Sequence, residues 1–306
     1  MTENKDVIII GSGPAGLTAA IYIGRGGYDP FVIGGFEFGG QLMTSSEVEN
    51  YPGFVEKLEG PDLMDRMRKQ AEKFGAEILD EDVTMVDFRA KPLRVAVGDR
   101  EFTTRTVIIA TGASPKWLGL ESEQRLRGRG VSACATCDGF FFKDQKVMVV
   151  GGGDWAIEEA LFLSRLAETV TLIHRRDQLR AEKIVQDRAF ANERIRFLWD
   201  SVVEEVIGED RVEGVRVRNV KTGETSVHDC QGVFIAIGHR PNTDLFRGQV
   251  DVDDAGYIKR YDETRTSAKG VFVAGDAYDF LYRQAVTAAA SGCKAAIDAI
   301  KYLEGE

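Results

Sequence analysis

The six residues "CATCDG" at 134–139 place two cysteines three positions apart, with an acid directly after the second. Thiols at this spacing hold a metal, brace a fold or exchange electrons. A structural zinc takes four nitrogen or sulfur ligands. Only Cys230, Cys293 and three histidines remain to complete such a set, and there is no second C-x-x-C, so the count speaks against a metal. An inert buried pair would sit among apolar residues, but Asp138 adjoins this pair and no apolar run lies between its thiols. Thiol redox chemistry fits best. A neighbouring thiol can lower a cysteine pKa, and the thiolate is the species that attacks a disulfide.

The elements around this pair read as two copies of one unit. Val7–Ile10 is a short apolar run suited to a buried parallel strand, and "GSGPAG" (11–16) follows it and opens an alanine-rich helix. Gly11 allows the tight turn, Gly13 the approach of the backbone to a pyrophosphate, and Gly16 the packing of helix on strand. The helix N-terminus then offers unpaired N–H groups to phosphate. Strand, glycine turn and helix recur 140 residues later as Lys146–Val150 and "GGGDWAIEEALFLSR".

In each copy a second apolar strand follows, Pro30–Ile33 and Val170–Ile173, and the residue 23 positions past the first glycine is Gly34 or His174. An acid at this point binds the ribose 2′-hydroxyl of NAD, whereas a nearby arginine accommodates a 2′-phosphate. "HRRDQLR" supplies Arg175, Arg176 and Arg180 and no acid at the strand end, which favours NADPH over NADH. The alternative is that the basic stretch 174–183 forms a solvated helix face.

"TVIIATGASP" (106–115) and "GVFIAIGHRP" (232–241) echo one another, and "GVFVAGD" (270–276) repeats the strand but ends in Asp276, suited to a ligand hydroxyl. This order predicts an α/β fold with two Rossmann-like dinucleotide-binding domains of three-layer ββα type, the second inserted into the first. The first domain spans 1–113 and 245–306, the second 114–244. Strand-like connectors are expected at 113–117 and 241–245, antiparallel additions at 80–97 and 202–220, and a small-residue helix from Tyr282 to Leu303.

The chain has 306 residues, enough for two domains, and a net charge of −10, which works against nucleic acid or an anionic membrane as partner. Its beginning contains no long apolar segment, and its four cysteines form no disulfide framework. Both point to the cytoplasm.

With these pieces in place the chain resembles the low-molecular-weight thioredoxin reductases of prokaryotes, flavoprotein disulfide reductases. The likeness rests on "GSGPAG", "GGQL" (39–42), "EVENYPG" (47–53), "ATGA" (110–113), "CATCDG", "GGGDWAIEEA", "HRRDQLRA", "GHRPN" (238–242), "GDAYD" (275–279) and "YRQAVTAA" (282–289), in the family's order. It implies an FAD touched by Gly11, Gly13, Pro14, Ala15, Gly16, Gln41, Asn50, Thr111, Gly112, Gly275, Asp276, Arg283, Gln284 and Ala285. It implies an NADPH touched by Gly151, Gly153, Asp154, Ala156, His174, Arg175, Arg176, Arg180 and Gly238. Electrons would pass from NADPH through FAD to a Cys134–Cys137 disulfide and on to thioredoxin. Cys134 would attack the substrate, Cys137 would face the flavin, and Asp138 would be the acid or proton relay. A homodimer is implied as well.

Trp155 departs from the family, which has a small or hydroxylated residue there. Its indole stacks on a nucleotide ring, lines a cleft, obstructs the cofactor or packs on a neighbouring element. Obstruction would favour a dithiol oxidase or a reductase using another donor, and a flavoprotein whose dithiol senses redox state is the alternative outside enzyme turnover.

Overall fold

A computed structural model describes residues 2–45 and 47–305. The domain ends expected at residues 1 and 306 lie outside the described residues. The chain divides into two compact units, Met1–Ser114 with Arg240–Glu306, and Pro115–His239.

In the first unit five parallel strands lie in the order Val271–Val273, Thr106–Ile109, Val7–Ile10, Pro30–Ile33 and Glu77–Leu79. Period-two alternation sends their side chains to two separate cores. Val7, Ile9, Val32 and Ile108 pack with Leu17, Ile21, Met64 and Ala296, which lie on the helices Pro14–Arg25, Gly60–Lys73 and Ala285–Glu304. Ile8, Ile10, Phe31, Ile33 and Ile109 face the other way, onto Val86, Val95 and Phe102 of a second sheet. A strand buried on both faces needs an unbroken apolar run, which is why these segments read as continuous Val and Ile. The second sheet runs Thr2–Asn4, Arg100–Thr104, Leu93–Val97, Met85–Asp87, antiparallel except for its first pair.

The second unit repeats this layering. Its parallel sheet runs Val131–Ser132, Gly232–Ala236, Lys146–Gly151, Thr169–Ile173, Ile195–Leu198. Val147 and Val149 face the helix Asp154–Leu163, while Met148 and Val150 face an antiparallel sheet of Ser201–Ile207, Gly214–Asn219 and Thr225–Asp229. Among the described residues no helix is long and apolar enough to cross a membrane.

Three local expectations need correction. The C-terminal helix begins at Ala285, not Tyr282, because Arg283 adopts a left-handed φ of 48° and extended Gln284 caps the helix, with its side chain and that of Thr287 bonded reciprocally to the backbone. The second short connector strand is His239–Pro241, ahead of the expected 241–245, where Asp244–Phe246 forms a 3-10 turn. The basic stretch 174–182 is loop; the helix starts only at Lys183. That removes the solvated helix face as its explanation.

Candidate functional site

In the second unit the two cysteines sit at the start of a short helical turn, Ala135–Asp138, and form a disulfide. The turn closes on itself, since Cys137 N and Asp138 N both donate to Cys134 O, at 3.3 and 3.2 Å. Two side chains anchor it from outside. Buried Ser132, the last residue of its strand, accepts the Cys134 N–H at 3.0 Å. Glu159 is only 4% exposed, and its Oε1 accepts the Ala135 N–H at 3.1 Å. Glu159 stands on the helix Asp154–Leu163, so the glycine-loop helix also carries an anchor of the disulfide turn. Burial pushes the Asp138 carboxyl above the usual carboxylate range, and a hydrogen bond from Ser132 pulls it partly back.

The glycine loop of this unit has two tight positions and one open one. A Cβ on Gly151 would stand 2.5 Å from Ala236 O and from Ala156 Cβ, and one on Gly152 would stand 2.2 Å from the His174 ring. At Gly153 a Cβ would meet nothing within 4 Å. Gly153 is also the N-cap of the helix and makes no side-chain cap bond, so the first turn presents N–H groups to whatever lies above it.

The arginine loop folds back over this opening through its main chain. Arg180 N donates to Gly152 O at 2.7 Å, and Glu182 N donates to Asp154 Oδ1 at 2.6 Å. Arg175, Arg176 and Arg180 are exposed, and none of them forms an ion pair among the described residues. Three guanidinium groups beside an open helix N-terminus fit a dinucleotide carrying an extra phosphate. His174 lies underneath: it is buried, its Nε2 is 3.0 Å from Gln178 O, and burial pushes its pKa down. Gly238, with φ 102°, accepts the Lys116 N–H. Trp155 is half-buried against the unit's helix-side core, its ring edge-on to His239 at 6.3 Å.

The first unit gathers its own set. Gly11 has φ 115°, and a Cβ on Gly16 would fall 1.9 Å from Gly11 O, which fixes the helix hard against the turn. At Gly13 a Cβ would meet nothing within 4 Å, and a Cβ on Gly40, which precedes exposed Gln41, would stand 3.9 Å from Gly13 Cα. Pro14 and Ala15 open the helix, and a Cβ on Gly275 would lie 3.0 Å from the Ala15 methyl. Asn50 Nδ2 donates to Gln284 Oε1 at 3.4 Å, and Thr111, next to Gly112, exchanges hydrogen bonds with Asn242. Asp276 follows Gly275 with its Oδ1 buried and, among the described residues, without a hydrogen-bond partner. Burial, then the nearby Asp279, raises its carboxyl to about 7, against the opposing pull of Arg283. A buried acceptor left unsatisfied beside an open glycine loop fits a hydroxyl-bearing ligand such as a dinucleotide.

Sequence reasoning missed Ser12, whose hydroxyl donates to Gly34 O and accepts the Gly39 N–H, and Ser291, which accepts the Gly275 N–H. It also missed Ser132, Glu159 and the Asp154–Glu182 contact. A polar residue within an otherwise apolar or small-residue stretch was the available signal for the serines.

Residues 5–292 match the family model described as pyridine nucleotide-disulphide oxidoreductase. A thioredoxin reductase from Rickettsia conorii is 55% identical, covering 99% of each chain. One from Mycolicibacterium smegmatis is 56% identical over 97% of this chain and 96% of its own. The solved thioredoxin reductase of Streptococcus pyogenes superposes with a TM-score of 0.95 at 43% identity, covering 99% of both chains.

Proposed function

We propose that this chain, which belongs to the pyridine nucleotide-disulphide oxidoreductases and within them to the prokaryotic-type thioredoxin reductases, reduces the disulfide of a thioredoxin with electrons from NADPH. The observation that carries the proposal is the Cys134–Cys137 disulfide, anchored through Glu159 to the helix that opens at the Gly151–Gly153 loop. FAD is assigned to the segments 1–113 and 245–306, and NADPH to 114–244.

The FAD pyrophosphate would lie on the Gly11–Gly16 loop, with Asp276 accepting a hydroxyl and Gln41, Asn50, Thr111, Gly112 and Arg283–Ala285 around it. NADPH would lie on Gly151–Ala156, with Arg175, Arg176 and Arg180 on its 2′-phosphate. When bound, the two cofactors would supply the two electrons that reduce the Cys134–Cys137 disulfide.

The chain's residues then perform a thiol exchange. The Cys134 thiolate attacks one sulfur of thioredoxin, forming a mixed disulfide and displacing a thiolate. Cys137 attacks Cys134 Sγ, which restores the enzyme disulfide and releases the second thioredoxin sulfur. Asp138, kept protonated to higher pH by burial, supplies a proton to a departing thiolate and is recharged from solvent. The enzyme is assigned to the cytoplasm and to a homodimer on its resemblance to the family.

The test is anaerobic mixing of the flavin-loaded protein with NADPH or NADH, followed by oxidised thioredoxin. NADPH should bleach the flavin more readily than NADH, and thioredoxin should restore the colour. Bleaching by neither nucleotide refutes the donor assignment, and failure of thioredoxin to reoxidise the protein refutes the acceptor.

A further inference from the structure

We propose that the Thr136 hydroxyl is a hydrogen-bond donor to the Cys134 sulfur that favours its thiolate over its thiol once the Cys134–Cys137 disulfide is opened. The proposal rests on the reading of this pair as the redox centre.

Thr136 Oγ1 stands 3.4 Å from Cys134 Sγ, within hydrogen-bond reach for sulfur. A sulfur in a disulfide carries no proton, so this bond exists only with the hydroxyl donating. Reduction turns the same sulfur into a thiol or a thiolate. The thiolate is the stronger acceptor because it carries a full charge, so a donor already beside it stabilises the ionised form selectively.

Much of the main chain of the turn is committed elsewhere. The Cys134 N–H goes to Ser132 Oγ, the Ala135 N–H to Glu159 Oε1, and those of Cys137 and Asp138 to Cys134 O. A cysteine that opens a helix is ordinarily acidified by the N–H groups of the first turn. Here those groups hold the turn in shape, and the side chain of Thr136 supplies the donor. None of these bonds involves a sulfur, so they are not broken when the disulfide opens.

The titratable groups near the turn act in the opposite direction. Cys137 and Asp138 lie on it, and the packed helix Asp154–Leu163 brings buried Glu159 to it, with Asp154 and Glu158 exposed. Each is neutral or negative, and a negative neighbour disfavours a thiolate. Neither that helix, nor the following turn Gly139–Phe142, nor the preceding strand Val131–Ser132 carries a lysine, arginine or histidine to offset them.

The experiment is the pH dependence of alkylation of Cys134 by iodoacetamide, followed by mass spectrometry of its peptide from about pH 5 to about pH 10. It uses the FAD-loaded protein, without oxygen, in a Cys137→Ser background, so that two thiols do not titrate as a coupled pair. Thr136→Val should move the midpoint to higher pH by about 0.5–1 unit, the loss of a charge-assisted bond at an exposed position. The plateau at high pH should rise, by up to about threefold, because a more basic thiolate is the better nucleophile. A turn merely loosened by the substitution would change the rate at every pH alike and leave the midpoint in place. Thr136→Ser, which keeps the hydroxyl, should stay within about 0.3 unit of the parent. If the valine variant does not fold, Thr136→Ala removes the same hydroxyl and must shift the midpoint in the same direction. A midpoint that stays in place without the hydroxyl overturns the proposal, as does a serine variant displaced as far as the valine one. Neither NADPH nor thioredoxin is present, so the result bears on this contact alone and not on the reductase reading.

Discussion

Substituting Gly152 by alanine tests whether the second glycine loop is shaped by the histidine beneath it. Its φ lies outside the left-handed region, so alanine is tolerated by the backbone and the effect is steric. The new methyl would lie 2.2 Å from both Cε1 and Nδ1 of His174 and 2.8 Å from Cγ, so loop and ring must part by about 1 Å to reach ordinary contact. The ring has little freedom to retreat, being buried with Nε2 on Gln178 O. Overpacking of this kind costs about 1–3 kcal/mol. If displacement of the loop from the phosphate position absorbs that cost, the Kd for NADPH rises roughly 5- to 150-fold. If the folded unit absorbs it instead, the melting temperature falls by about 3–10 °C. Calorimetric titration of the oxidised enzyme with NADP+, with a melting curve on the same sample, reads both. The double variant Gly152→Ala/His174→Ala frees the volume the methyl needs, so the two changes must couple favourably. Wild-type affinity and melting in Gly152→Ala, or a double variant that loses the sum of the single losses, would refute the steric account.

Asp276 gives a pH-dependent outcome in the flavin-free protein. Its folded carboxyl is raised to about 7 from the usual 3.8, so between these values the folded chain holds a proton that the unfolded chain has lost. Its contribution to stability is full below the unfolded value and is lost as pH rises through the folded one. Asp276→Asn should therefore gain on wild type by on the order of 4 kcal/mol between about pH 4 and pH 8, read from urea midpoints. Parallel midpoints in the two proteins would contradict this. For Trp155, packing on the core predicts that Trp155→Ser lowers stability by about 2 kcal/mol, since the ring is half-buried. The Kd for NADPH should change less than about threefold, and a tenfold tightening on titration would show that the indole obstructs the nucleotide.

The inner strands and glycine loops were legible because both obey strong local rules. Val7–Ile10 and Val147–Val150 are apolar on both faces, and the turns after them need glycine where Ala110 O or Ala236 O comes close. The edge strands Thr2–Asn4 and Thr225–Asp229 were not legible, since one is polar and the other mostly exposed. The late start of the C-terminal helix depends on the backbone of Arg283, which a small-residue pattern does not encode. At the site, cysteines and arginines announced themselves by type. Ser132 and Glu159 matter through which N–H they accept, and that is decided only when strand and helix meet.

The arginine loop hangs from its own backbone: Arg180 N on Gly152 O and Glu182 N on Asp154 keep it over the glycines, while the guanidinium groups at 175, 176 and 180 project into solvent. Attachment and recognition are thus carried by different atoms. On the proposed placement of NADPH, the side chains that would meet its 2′-phosphate can be exchanged without loosening the loop that presents them. If NADPH lies there, its preference over NADH would be set at the surface, and a change of donor would leave the framework as it is.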